Sequence, residues 1–148
     1  MIVRSLIVAG FAIVALAGCA SVGGGQQAPF NAAACSTRDF NVYFDSGTTE
    51  ISPAARQSIG AIGEALHGCR INHVRIIGSA SAVGGVIVSD ERSEQRALVL
   101  ADYLSRRFGW ARSPMELLAT GERGALTDEG LDVPMRRRAR ITVDAVAP

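Results

Sequence analysis

Between the apolar run HVRII (73–77) and the short run MELLATG (115–121) lies a segment whose apolar residues recur with the period of a helix. Ala97, Leu100, Ala101 and Leu104 fall on one stripe of a helix from near Ser89 to Phe108, and Gly109 is placed to stop it. A helix of about 20 residues between two strands is a crossover connection, and crossovers join parallel strands. The same arrangement occurs once upstream. DFNVYFD (39–45) sets Phe40, Val42 and Phe44 against polar positions apart from Tyr43, as a half-buried strand does, and DSGTTE breaks it. Ser52 followed by Pro53 reads as a helix start, Ile59, Ile62 and Leu66 share one helical face, and Gly68 ends it. A last strand, RARITVDAV (138–146), alternates Ile141, Val143 and Ala145. The order is β-α-β-α-β, a loop, then β. It implies an α/β fold, an α+β layer with two helices packed on one face of a mixed sheet. The 148 residues suffice for one domain with a real core.

The first residues read differently. Arg4 precedes an apolar run from Leu6 to Leu16, followed by small residues. That run is too short to span a bilayer and has the three-part form of a secretory signal. It ends in LAGC, Leu16 to Cys19, which resembles the lipobox of bacterial lipoproteins. The resemblance implies removal of residues 1–18 and acylation of Cys19, and two or more acyl chains hold a protein stably on a membrane. Ala20 follows the cysteine; by the same resemblance, the absence of Asp there favours the outer membrane. Residues 19–35, rich in Gly, Ala and Gln, read as the lipidated cysteine and a flexible tether. About 15 coil residues span roughly 20 Å on average and at most about 50 Å. The folded domain is expected over 36–148.

Cys35 and Cys69 remain. In an exported protein, where disulfides persist, such a pair points to a bond between them, the alternative being two separate buried thiols.

The folded segment resembles the OmpA-like C-terminal domain, the peptidoglycan-associating module of many outer-membrane proteins and lipoproteins. VYFDSGTTEISPAA (42–55) is similar to the family's opening strand and helix start. GSASAVGG (78–85) falls where the family has a Gly-His/Tyr-Thr-Asp-x-x-Gly loop. SDERSEQRALVLADYL (89–104) resembles its N-x-x-L-S-x-x-R-A-x-x-V-x-x-Y-L helix through Ser93, Arg96, Ala97, Tyr103 and Leu104. ATGE (119–122) and MRRRARI (135–141) correspond to its Gly-x-Gly-Glu turn and Asn-Arg-Arg-Val strand.

The resemblance implies a ligand: the free zwitterionic end of diaminopimelate in the stem peptide. A loop Asp pairs with its ammonium and a helix Arg with its carboxylate, and charge-assisted bonds of that kind are strong. Carried over by position, the Arg is Arg96 and the Asp is replaced by Ser81. Ser79 and Ala80 stand for the His/Tyr and Thr, Ser89 for the helix Asn, and Gly78 and Gly84 are kept. By the same resemblance alone, Arg137 or Arg138 corresponds to an arginine lining the family's site. A lost bond to a charged group weakens binding roughly 10- to 100-fold. Asp90 and Glu91 offer an acid only if turned inward. Arg96 itself is either a ligand anchor or a structural residue bonding loop carbonyls.

The other features carry less. RRRAR (136–140) faces acidic polymer or headgroups, or is the solvated face of an edge strand. His67 and His73 lack a third ligand at metal spacing, so no metal and no cofactor is expected. No Lys-Ser/Thr follows the glycine turn, and nucleophile, base and orienter gather nowhere, which argues against an enzyme. A formal charge of +1 gives no field towards nucleic acid. The expected partners are peptidoglycan, the outer membrane through the lipid anchor, and other envelope proteins, with the domain in the periplasm.

Overall fold

A computed structural model describes residues 30–148; the expected signal segment, Cys19 and most of the expected tether lie outside the described residues. The elements are β1 (Arg38–Tyr43), α1 (Pro53–Ala65), β2 (Arg70–Gly78), α2 (Gly85–Phe108), β3 (Met115–Ala119) and β4 (Arg138–Val146). Their order is the expected β-α-β-α-β-β.

The helix ends follow from local chemistry. Ser52 accepts a hydrogen bond from the Ala55 amide at 3.2 Å, and Pro53 occupies the first position of α1. Gly109 closes α2 in the left-handed conformation, its amide donating to the Ser105 carbonyl. The start of α2 differs from the expectation: it lies at Gly85, four residues before Ser89. The added turn carries Val86, Ile87 and Val88, all exposed. A glycine pair followed by apolar residues that face water breaks the periodic signal, so the sequence reads there as loop.

The sheet has the order β1-β4-β2-β3. β3 runs parallel to β2, while β4 lies antiparallel between β1 and β2. One alternation of side chains, Val42, Val74, Ile76, Ala139, Ile141, Val143 and Ala145, is buried under both helices together with Ile59, Leu66, Leu100, Ala101 and Leu104. The opposite alternation faces outward. β4 is therefore an interior strand, which corrects the edge-strand reading of Arg136–Arg140. The solvated face remains: Arg140 points outward and lies 3.5 Å from Asp39.

Cys35 and Cys69 form a disulfide, with Cα atoms 5.5 Å apart and 34 residues of separation. Closing such a loop contributes about 3–4 kcal/mol in the chain-entropy model. It ties the segment before β1 to the start of β2. Phe30 lies beside it, against Gly68. Register places the other end of the domain: Tyr43 pairs with Arg138 and Gly78 with both Ala139 and Ala119. The loops 44–52, 79–84 and 120–137 thus gather at one end, and the disulfide sits at the other. No helix among the described residues is long and apolar enough to cross a membrane.

Candidate functional site: the loop end of the domain

The turn after β2 is built by close approach. Gly78 is buried, and a Cβ there would overlap the Ser93 carbonyl oxygen of α2. Beyond it the chain is tied in on every side. The Ser79 amide donates to the Arg138 carbonyl and the Ala80 amide to the Gly121 carbonyl, both at 2.8 Å. The Ser79 and Thr120 hydroxyls are 2.9 Å apart. Ser89, fully buried, donates its hydroxyl to the Ser81 carbonyl at 2.8 Å. Ala80 and Ser81 are buried as well. These amides and hydroxyls bind the protein to itself.

Arg96 reaches the turn from α2 and is fully buried. Its Nη1 donates to the Ser79 carbonyl at 2.8 Å. Nε and Nη2 donate to the Thr48 carbonyl at 3.0 and 2.8 Å, and Nη2 also approaches the Asp45 carbonyl at 3.4 Å. The guanidinium lies over the Phe44 ring, 4.7 Å from its centroid. Arg96 thus clips the loop after β1 to the turn after β2. No carboxylate of the described residues lies within ion-pair distance of it. Burial, then the nearby charges of Arg92 and Arg137, lower its pKa to about 10, so it stays cationic at neutral pH.

The structure thus brings together Gly78, Ser79, Ala80, Ser81 and Arg96. Arg138 contributes its carbonyl, but its side chain belongs to the outward alternation of β4, opposite the buried Ala139. Arg137, one residue earlier, is the arginine whose charge bears on Arg96, and it lies 3.2 Å from Asp132. Asp90 packs against Gly121, towards the loop after β3. Glu91 instead lines a cleft of about 220 Å³ with Gly47, Thr49, Val88, Arg92 and Gln95. A larger hollow of about 620 Å³ is lined by Ile51, Val99 and Tyr103 together with Arg56 and Arg106, and so by residues of both helices.

The sequence reading passed over Arg92 and the carbonyls of Asp45 and Thr48. Arg92 had a signal: it precedes Arg96 by four residues, on the same helical face. The carbonyls had none, since nothing in a sequence marks where a loop oxygen points.

The family model described as the OmpA family matches residues 43–140. No curated protein matches the sequence. Among solved structures, the OmpA-like domain of FopA1 from Francisella tularensis is similar at 18% identity, covering 74% of each chain with a TM-score of 0.61. The peptidoglycan-associated lipoprotein from Burkholderia pseudomallei is similar at 21% identity over 70% of this chain and 88% of that one, TM-score 0.54. The cell wall anchor of the T6SS from Pseudomonas aeruginosa is similar at 18% identity over 76% and 83%, TM-score 0.55. At these identities the likeness is one of fold.

Proposed function

This chain belongs to the OmpA family, and we propose that it is an outer-membrane lipoprotein whose periplasmic domain holds peptidoglycan non-covalently. In this reading residues 1–18 are removed, Cys19 carries the lipid, residues 19–35 form the tether and 36–148 the wall-binding module. The ligand is the zwitterionic end of diaminopimelate. The observation that supports it is a pair of guanidinia one helical turn apart at the loop end. Neither Arg92 nor Arg96 has an ion-pair partner among the described residues. Such a site attracts a carboxylate. Two of the similar structures are named for wall association, the lipoprotein from B. pseudomallei and the anchor from P. aeruginosa. Ser81 in place of the acid weakens a single site roughly 10- to 100-fold. Membrane attachment and a polymeric ligand sustain weak binding by raising effective concentration.

A specific observation favours a second reading, a module that docks an envelope protein and no longer holds the wall. The turn is closed, with Ser81 buried and the Arg96 donors engaged by carbonyls. One experiment separates the two. The full chain, solubilised in mild detergent, is sedimented with purified sacculi at low salt, and free diaminopimelate is added as competitor. The tether reading expects it in the pellet and released by the competitor. A chain that stays in the supernatant ends that reading. If Ser81→Asp then pellets where the wild type does not, the turn has been retired from wall binding.

A further inference from the structure

We propose that the zwitterion is held one helical turn outward from Arg96, in the cleft between the β1–α1 loop and the start of α2, where Arg92 takes its carboxylate and Glu91 its ammonium. This rests on the wall-binding reading and gives that function a different pair of residues.

Accessibility comes first. A guanidinium has five N–H groups. Those of Arg96 meet the carbonyls of Thr48, Ser79 and Asp45 in four contacts, and the side chain is 0% exposed. No two-pronged face is left for a carboxylate. Arg92 is only partly buried and makes one described hydrogen bond, from Nη1 to the Val83 carbonyl at 3.1 Å. Its other N–H groups have no hydrogen-bond partner among the described residues. Glu91 is exposed and has no hydrogen bond or ion pair among the described residues. The two do not neutralise each other: no ion pair joins them among the described residues.

Geometry supplies the cleft. Val88, Glu91, Arg92 and Gln95 follow the spacing of one helical stripe, and Gly47 with Thr49 forms the facing wall. Arg92 sits four residues before Arg96, about 6 Å nearer the helix start. The facing wall is held by Arg96 itself, through the carbonyls of Asp45 and Thr48 on either side of Gly47. Gly47 has a positive φ of 74° and no atom within 4 Å of where a Cβ would stand, so that wall is open to an entering group. The volume of about 220 Å³ is several times the roughly 30 Å³ share of one water. An ammonium, its carbon and a carboxylate fit with room for water. The Thr49 hydroxyl and the Gln95 amide add donors and acceptors of either kind. Arg96 is then a positioning residue, and the acid lacking at Ser81 is supplied from the helix.

The test compares the wild-type chain with Glu91→Gln and Arg92→Gln, each in detergent, on native sacculi and on sacculi whose free ammonium groups have been acetylated. Both substitutions lie at the surface and should leave the thermal melt unchanged. Each is expected to weaken binding to native sacculi by roughly 10-fold or more. Acetylation should weaken the wild type by a similar factor and leave Glu91→Gln with no further loss. If the wild type pellets and both variants pellet equally well, the cleft is not the site, although the tether survives. If the wild type does not pellet at all, both ideas fall together.

Discussion

Arg96 is a charge held without a counter-charge, and that fixes what its replacement should do. Burying a guanidinium is costly unless its donors are met, and here carbonyl dipoles and the face of Phe44 meet them. Arg96→Lys keeps the charge but cannot span Thr48 on one loop and Ser79 on another, because an ammonium is a compact point donor. With at least one carbonyl left unmet, the variant should lose about 2–3 kcal/mol of stability, read as a lower midpoint in urea at unchanged slope. The pH dependence has a definite sign. With its folded pKa lowered from the ordinary guanidinium value to about 10, the native state gives up this proton before the unfolded state does, in a window that opens near pH 10. Stability from this group therefore rises only as pH climbs through that window, and Arg96 contributes no slope between pH 5 and 9. Wild-type and Arg96→Met stabilities, compared so that the replacement does not itself titrate as a buried lysine would, should differ by the same amount at pH 5 and at pH 9. A gap that opens or closes between them would mean that another titrating group senses Arg96.

At the joint between β2 and α2 strand and helix approach closely, and Gly78 makes it possible. Gly78→Ala sets a methyl against the Ser93 carbonyl, which is backbone and cannot swing aside. Ser93 also accepts the Gly121 amide at 3.0 Å and donates to the Asp90 carbonyl, so a shifted helix disturbs the β3–β4 loop too. The expected cost is about 1–3 kcal/mol, and amide exchange at Gly121 should quicken more than exchange at Val143 in the sheet centre; equal quickening at both would show the strain to be global. Elements of this kind were legible where a local rule writes them. Ser52-Pro53, the stripe through Leu100 and Leu104, and the alternation of Ile141 and Val143 each encode a neighbour a few residues away. The position of β4 was not, because strand order is decided by pairing across the whole chain. Its arginines resemble edge protection only until Ala139, Ile141 and Val143 are seen to be buried between β1 and β2. The first turn of α2 was hidden for the converse reason: Val86 and Ile87 face water on a helix whose pattern should place polar residues there. The site divided along the same line. The meeting of Arg96 with the Gly78–Ser81 turn follows from motif spacing, and bonding to loop carbonyls is one of the two roles the sequence offers it. The choice of Thr48 and Ser79 as the acceptors is not written there.

Taken whole, the domain has two ends, and the tether reading depends on their being opposite. The strand register puts Arg70 beside Val146 at the end that holds the disulfide, Phe30 and the last residues of β4. The loops that frame Arg92 and Arg96 are at the other end. A domain of this size is roughly 35 Å across. Attachment through the N-terminal segment therefore presents the loop end outward, at that distance plus the mean reach of the tether. Attachment beyond Pro148 should do the same, since that residue follows β4 on the disulfide side. Attachment through the exposed turn at 127–130, between β3 and β4, should turn the loop end towards its support. Biotin placed after Pro148 or on a cysteine at Asp128 allows both orientations on streptavidin beads, with sheet-like sacculus fragments as the probe. A sheet cannot reach around a bead-facing domain, so capture should persist in the first orientation and fall at least 10-fold in the second. Soluble muropeptides, small enough to diffuse beneath the domain, should bind alike in both and so control for damage by the modification. Equal capture of the large fragments in both orientations would place the wall-binding surface on the sides of the domain, and the two-ended arrangement would then have no part in tethering.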